Sequence, residues 1–406
     1  MMTPPPPEVY VPTLQSWIVG QQESMLADLR TYVELESPSD DLHALADALG
    51  WIESWVVSRL GEPMSCQRVD GGAYGSTTVM NWPGTGHPVA LLAHYDTVWP
   101  LGTLAELPFA LDGDIITGPG VFDMKAGLVQ AVWSLRALDE FDLPRPPVRL
   151  LLNGDEEVGS PSSRPTIEST CADAAAVLVF EPSSNGALKT ARKGVGFFDI
   201  EVRGVAAHAG LDPTLGASAI TALAHLTLDL ASLTDLVAGT SVNVGTVAGG
   251  TRKNVTAGEA TAGVDVRVPN PTEAARIDRA LARLDPHEDR VTVAVSGGWN
   301  RPPMPRSEGT GALFNRARAL AAHININLQE TSVGGASDGN FAAALGRPVL
   351  DGLGALGAGA HARTEHATIS GMVDRAALSA AILTSLASDA FSDSQEGVAE
   401  VVPESR

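Results

Sequence analysis

Histidine and carboxylate side chains directly follow apolar runs at several places in this chain. The stretch LLAHYDTVWP (91–100) carries His94 and Asp96 at the end of such a run. Burying a carboxylate costs free energy unless a cation or hydrogen-bond donors compensate it. Residues i and i+2 of a strand share a face, so we expect the Asp96 carboxylate to reach the His94 imidazole. Such pairs orient a histidine for metal binding, although a buried structural pair would have the same spacing.

Three further apolar runs end in the same kinds of side chain. They are VRLLLNGDEEVGS (148–160), AAAVLVFEPSS (174–184) and RPVLDGLGALGAGAH (347–361), which lead to Asp155–Glu157, to Glu181 and to His361. Neighbouring carboxylates resist joint ionisation unless a cation compensates them. In the acidic trio, one glutamate could therefore hold a metal while its neighbour stays free as a base, or the trio could be an exposed loop.

A glycine-containing turn, GPGVFDMKAG (118–127), delivers Asp123 to the start of an expected helix. Its glycines lack the GxGxxG spacing of a dinucleotide-binding turn. Alone, Asp123 could be an ordinary helix cap.

The order of the expected elements predicts an α/β fold with a mostly parallel central sheet and an inserted ferredoxin-like α+β domain. One helix is expected from Leu14 to about Glu36, a second after the break at 37–41 up to about Leu60, and a third over 124–138. Strands are expected near 76–81 and 88–95. We expect a first part over 1–193, an insert over 194–302 and a second part over 303–406. In a parallel sheet the ligand crevice lies beyond the carboxyl ends of the strands, so the acids and histidines above should converge there.

The composition narrows the class of protein. The 406 residues carry a net charge of −21, which disfavours nucleic acid and anionic membranes as partners. No apolar run is long enough to span a membrane and no secretory signal is visible, so a cytoplasmic protein is expected. The two cysteines are too few for a disulfide framework, and no G-x-S-x-G motif indicates a serine hydrolase.

Mixed histidine and carboxylate ligands favour zinc, with cobalt or manganese as substitutes.

Six motifs, in order, resemble those of the M20 family of dinuclear zinc peptidases, and of its glutamate carboxypeptidase branch in particular. They are AHYDTVWP, GPGVFDMKAG, NGDEEVGS, FEPSS, VRGVAAHAG and GGASDGN, and the resemblance extends from about residue 25 to 390.

The resemblance implies a role for each candidate residue of the two outer parts. Asp123 would bridge two zinc ions, one completed by Glu157 and His361 and the other by His94 and Glu181. Glu156 would be the general base, and Asp96 would steer His94.

The insert also carries residues that resemble functional ones of the family. His208 would stabilise the oxyanion in the partner subunit's site, Asn254 would bind substrate, and Arg301 would clamp the substrate α-carboxylate. A surface histidine, a turn asparagine and a solvated arginine are the structural alternatives. Lys189 and Arg192 are further candidates for reading a glutamate side chain.

One departure from the family pattern concerns His366, which follows Glu365 where an aromatic or aliphatic residue is more usual. A ligand exchange between His361 and His366 is conceivable, but the glycine-rich approach to His361 matches the motif.

The function implied is an amidohydrolase that releases a C-terminal amino acid from an N-acyl amino acid or short peptide, as a homodimer formed through the insert. An N-acyl-amino-acid deacylase of the aminoacylase or acetylornithine type is the alternative enzyme. A non-catalytic metal-dependent binding module is the alternative of another class.

Overall fold

The computed structural model describes residues 7–387, which form two compact units. The large unit comprises the described residues up to 190 together with 306–332 and those from 337 onward. The small unit comprises 191–305 together with 333–336. The sequence predicts one continuous insert, so it does not predict that the chain returns briefly to the small unit at 333–336.

The helices are α1 (Val11–Gly20), α2 (Gln22–Glu34), α3 (Leu42–Leu60), α4 (Ala126–Glu140), α5 (Arg164–Cys171), α6 (Ala219–Ser232), α7 (Pro271–Leu281), α8 (Glu308–Ala322), α9 (Gly339–Ala344) and α10 (Ile369–Leu386). The strands are β1 (Ser65–Val69), β2 (Thr77–Trp82), β3 (Val89–His94), β4 (Ala110–Asp112), β5 (Ile115–Thr117), β6 (Val148–Asn153), β7 (Ala176–Val179), β8 (Leu188–Arg192), β9 (Gly194–Arg203), β10 (Ser241–Gly249), β11 (Glu259–Val268), β12 (Thr292–Arg301), β13 (Glu330–Val333), β14 (Val349–Leu350), β15 (Gly357–Ala358) and β16 (His366–Thr368).

The central sheet of the large unit has the strand order β1-β2-β6-β3-β7-β14. The last four strands of this order are mutually parallel, whereas β1 and β2 are antiparallel additions at one side. Every residue of β3 is buried, because helices cover both faces of a parallel sheet. The carboxyl ends of β6, β3, β7 and β14 therefore meet at one edge, as the sequence predicts.

The helices of the large unit bury a core of aliphatic and aromatic side chains against this sheet. One long helix is expected from Leu14 to about Glu36, but the chain forms two helices that are separated at Gln21. The side chain of Asp41 caps α3 by accepting hydrogen bonds from the backbone N–H groups of His43 and Ala44. Helix α10 is long and apolar enough to cross a membrane, but 89% of it is buried inside the protein, as in the core helix of a globular unit.

The small unit has the order β9-α6-β10-β11-α7-β12 along the chain and a four-stranded antiparallel sheet in the order β10-β11-β9-β12. This is the ferredoxin-like arrangement that the sequence predicts. Its own apolar core lies between the sheet and the two helices. Strand β10 lies at one edge of the sheet.

Candidate metal centre

The parallel strands place the acidic and histidine candidates together at one edge of the large unit. His94 is the last residue of β3 and pairs in register with Asn153, the last residue of β6. The acidic trio begins two residues after β6, and Glu181 follows β7 by two residues. Because all three strands run in the same direction, their ends deliver these side chains to a common place.

The turn between β5 and α4 delivers Asp123 to the same edge. Gly118 and Gly120 have φ angles of 146° and 71°, which side chains with a Cβ rarely adopt. Asp123 lies three residues before α4, whose N-terminal residue receives no side-chain cap. The interpretation of Asp123 as a helix cap is therefore wrong.

The two carboxylate oxygens of Asp123 face two different histidines. Its Oδ1 lies 3.3 Å from Nε2 of His94, and its Oδ2 lies 3.4 Å from Nε2 of His361. Each histidine also has its own glutamate: His94 Nε2 is 3.5 Å from Oε1 of Glu181, and His361 Nε2 is 3.1 Å from Oε2 of Glu157. Asp123 thus stands between two His–Glu pairs.

The neighbours Glu156 and Glu157 differ in their surroundings. The Glu157 carboxylate is 7% exposed, and its Oε1 is buried without a hydrogen-bond partner among the described residues. A ligand oxygen of Glu156 falls within 4.8 Å of ligand atoms of both His94 and Glu181, and one of Glu157 falls equally close to His94 and Asp123. Both glutamates face the cluster, and Glu157 carries the orphaned oxygen expected of a metal ligand.

The electrostatics of the cluster show how strongly these groups interact. Burial opposes the charged form of His94, yet hydrogen bonds to Asp123, Asp96 and Glu181 raise its pKa well above the usual value. Hydrogen bonds to Asp123 and Glu157 raise the pKa of His361 to about 10. Burial raises the pKa of Glu157 to about 7. Burial would also raise the pKa of Asp123, but hydrogen bonds from His361 and His94 hold it well below its usual range.

Asp96 contacts His94, but its carboxylate has a second task that the sequence did not reveal. The Nδ1 of His94 lies 2.9 Å from the backbone oxygen of Asp96 and 3.4 Å from its Oδ1. The same carboxylate accepts hydrogen bonds from the backbone N–H groups of Glu156 and Glu157 and from the hydroxyl of Ser39. Asp96 therefore fixes the backbone of the acidic turn as well as the imidazole.

The structure separates the two candidate histidines of the C-terminal loop. His361 has a φ angle of 61° and a half-exposed side chain that points to Asp123 and Glu157. His366 instead lies at the start of β16, where its Nδ1 is 2.9 Å from the backbone oxygen of Thr364.

Other polar residues support the cluster and were not identified as functional from the sequence. Glu365 is fully buried and contacts the Asp123 turn. Asp338, within the GGASDGN motif, accepts hydrogen bonds from Asn153 and Ser160 at the two ends of the acidic loop. Asp155, the first acid of the trio, accepts hydrogen bonds from the backbone N–H groups of residues 162 and 163. Its carboxylate therefore stabilises the loop. Asp338 lies in a motif that the resemblance includes, although no role was assigned to it, and no local pattern pointed to Glu365.

The remaining three candidates lie in the small unit. His208 is exposed, and its Nδ1 accepts hydrogen bonds of 3.1 Å from the backbone N–H groups of Gly210 and Leu211. Asn254 is also exposed, and its backbone oxygen accepts a hydrogen bond from the N–H of residue 209. Arg301 ends β12 and is only 3% exposed, so it is not a solvated surface arginine.

Comparison with known proteins assigns the chain to a family. The sequence pattern of Peptidase family M20/M25/M40 matches residues 90–385. Carboxypeptidase G2 of Pseudomonas sp. (strain RS-16) is 30% identical over 379 residues, which cover 90% of each chain. The chain belongs to this peptidase family. It is therefore a metallopeptidase, a hydrolase of peptide bonds, as the sequence motifs predicted.

Solved structures show that the fold is that of the M20 family. A tripeptidase from Staphylococcus aureus superposes with a TM-score of 0.75 at 20% identity, covering 90% of this chain and 98% of that one. The M20 family metallo-carboxypeptidase Sso-CP2 from Sulfolobus solfataricus gives a TM-score of 0.67 at 16% identity, covering 89% and 99%. At these identities the likeness concerns the fold alone.

The side chains at the strand edge fit the metal ions on which M20 peptidases depend. The cluster offers imidazole nitrogen and carboxylate oxygen, which are the donors that zinc accepts in hydrolases. It also contains the orphaned Oε1 of Glu157 and an aspartate whose two oxygens face separate histidines. The orphaned oxygen costs free energy while it is buried without a partner, and a bound cation would account for it.

Proposed function

We propose that this chain is a two-zinc carboxypeptidase that releases a C-terminal amino acid of the glutamate type from an N-acylated or peptide substrate. The observation that carries the proposal is the position of Asp123, with one oxygen toward His94 and the other toward His361. Asp123 would bridge the ions, with His94 and Glu181 on one side and Glu157 and His361 on the other. Cobalt or manganese would be tolerated substitutes.

The chain's own residues supply the proton transfers and the oxyanion contact. When bound, the two zinc ions would polarise the scissile carbonyl and lower the pKa of a water molecule. Glu156, half-buried beside His94 and Glu181, would take the proton from the attacking water and pass it to the leaving amine nitrogen.

His208 has the tautomer that an oxyanion contact requires. Because its Nδ1 accepts hydrogen bonds from two backbone N–H groups, the proton of the neutral ring is on Nε2, which makes no hydrogen bond among the described residues. We propose that this Nε2–H stabilises the oxyanion in the site of a second chain.

Two further residues would bind the substrate. Asn254 is exposed in the same unit as His208 and would donate to the substrate. Arg301 is buried, so its guanidinium would form a strong bidentate pair with the α-carboxylate wherever the two meet. Of the other two cations considered, Arg192 is buried and binds the backbone oxygens of residues 335 and 336, and Lys189 is half-buried.

A homodimer formed through the small unit completes the proposal. Strand β10 is an edge strand, and an edge presents unpaired backbone groups to another chain. Beside it, α6 and β10 line an apolar cavity of about 480 Å³, with Ile220, Leu228 and Val247 exposed. A second copy of the chain would cover this face. Sedimentation equilibrium tests this, and a mass of one chain at micromolar concentration would refute it.

We propose that the enzyme is cytoplasmic. Cys66 and Cys171 are both free thiols, and the exposed thiol of Cys66 is compatible with a reducing compartment.

The decisive experiment measures amino-acid release by zinc-loaded protein from a panel of N-acyl, N-benzoyl and dipeptide substrates. We expect rapid release of C-terminal glutamate or aspartate from N-capped substrates. In Glu156→Ala, activity should fall by about 10³-fold or more with both metal ions retained, because the base is lost but no ligand is. A preference for small N-acetyl groups would identify a deacylase instead, and silence with two zinc ions bound would indicate an acyl group outside the panel or a binding role.

A further inference from the structure

Glu365 is a buried carboxylate on which four hydrogen bonds converge. It is fully buried in the large unit and lies four residues after His361. Its Oε1 accepts from the backbone N–H groups of Phe122 and Asp123, at 2.9 and 3.1 Å. Its Oε2 accepts from the backbone N–H of Gly120 at 3.0 Å and from the indole Nε1 of Trp99 at 2.6 Å.

Three of the four donors belong to the short turn that carries Asp123. A carboxylate that accepts the N–H groups at positions 120, 122 and 123 fixes the orientation of three peptide planes. The direction of the Asp123 side chain follows from that backbone. Since Oδ1 and Oδ2 of Asp123 face different histidines, a small rotation of the turn would lengthen the contacts to both His94 and His361.

The other end of the turn is held independently. Lys125 is buried, and its Nζ donates to the backbone oxygen of Leu35 at 2.7 Å and to that of Tyr32 at 3.3 Å. The turn is thus anchored through Glu365 on one side and through the end of α2 on the other. Within residues 7–387, Glu365 is the one acceptor for the N–H of Asp123 itself.

We propose that Glu365 is a positioning residue, which sets the orientation of Asp123 toward the two metal ions by holding the backbone of its turn. This rests on the proposed function in one respect, that Asp123 bridges the ions. All four groups are donors, so only an acceptor with two equivalent oxygens satisfies them. A glutamine would turn an NH₂ group toward one pair of donors whichever way its amide lay, and would lose two of the four hydrogen bonds.

The test compares Glu365→Gln with Asp28→Asn in the metal-loaded enzyme. Asp28 is a matched control, since its buried carboxylate also accepts a tryptophan indole N–H, that of Trp133, but its other partner is Arg59 and it contacts no residue of the turn. For Glu365→Gln we expect zinc affinity, measured by chelator competition, to fall by about 10- to 100-fold. We also expect an altered visible spectrum of the cobalt-substituted form and a lower kcat with KM changed less than about twofold. Asp28→Asn should lower the melting temperature without these changes.

A second variant keeps the proposal testable if Glu365→Gln does not fold. Trp99→Phe removes one donor and leaves the three backbone contacts, so zinc affinity should fall several-fold in the same direction. Zinc affinity and cobalt spectra equal to wild type in the variants that fold would overturn the positioning role. Failure of the wild-type protein to bind metal would instead refute the proposed function, so the two failures are distinguishable.

Discussion

The candidate residues of the large unit and those of the small unit differ in how their positions are determined. At the strand edge, Asp123 and Glu157 are largely buried and have their partners within the same unit. In the small unit, His208 and Asn254 are exposed, and the hydrogen bonds that the His208 ring accepts come from its own loop. The first group forms a preorganised cluster by folding alone. The second group offers donors that a substrate or a second chain must use.

The largest effect should come from the centre of the buried cluster. Replacing Asp123 with alanine removes the one carboxylate that faces both histidines, so both metal ions should be lost. Activity should then fall to background, a loss of at least about 10³-fold. Elemental analysis after dialysis and steady-state kinetics measure the two losses.

His366→Ala is the control for this variant, since the His366 ring contacts the backbone oxygen of Thr364 and, in the part of the chain that the structure describes, pairs with no acid of the cluster. It should retain both ions and full activity. If His366→Ala loses metal, His361 is not the ligand, and full zinc retention by Asp123→Ala would remove the bridging role.

The sequence predicted the strand-edge residues because their burial pattern is local. An apolar run that ends in an acid can be recognised without knowing its neighbours, and parallel strands bring such ends together. Glu365 could not be found in this way, because its backbone donors in the Asp123 turn are 242 to 245 residues away along the chain.

The role of Asp96 was incompletely predicted for a related reason. Strand β3 ends at His94, so the rule that residues i and i+2 share a strand face does not extend to Asp96. The Nδ1 of His94 is closer to the backbone oxygen of Asp96 than to its carboxylate. The carboxylate also accepts hydrogen bonds from the acidic turn that follows β6. The pairing of β3 with β6 determines this contact, and neither sequence segment alone encodes it.

A smaller effect, on rate alone, is expected from the exposed group. His208→Ala should lower kcat by about 10²- to 10³-fold, as expected for loss of one oxyanion donor. Metal content and melting temperature should stay unchanged, because the side chain is exposed and its hydrogen bonds come from its own loop. His225→Ala, at another exposed histidine of the small unit, should leave kcat unchanged.

Mixed dimers test whether His208 acts in the site of the other chain. When His208→Ala chains are mixed with Glu156→Ala chains, a site that has its own Glu156 can receive His208 from the other chain. Recovery of activity on mixing would show that His208 acts across chains. If mixing restores nothing although mixed dimers form, His208 acts within its own chain and the proposed arrangement is wrong.

The most gradual effect is a pH dependence of metal binding, which the buried cluster should show and the exposed residues of the small unit should not. In the metal-free protein the pKa of His361 is raised to about 10 and that of His94 well above its usual value. At pH 7 the His361 ring is therefore protonated, and the stabilisation that its ion pairs with Asp123 and Glu157 give the folded protein is lost as the pH rises through that raised value. Metal must displace the protons, so affinity should rise with pH, by about tenfold per pH unit for each proton released. Calorimetry of zinc binding in buffers of different ionisation enthalpy counts the protons released. His361→Ala should release about one proton fewer than the wild type. If zinc binding at pH 7 released no protons, the raised pKa of His361 would be contradicted.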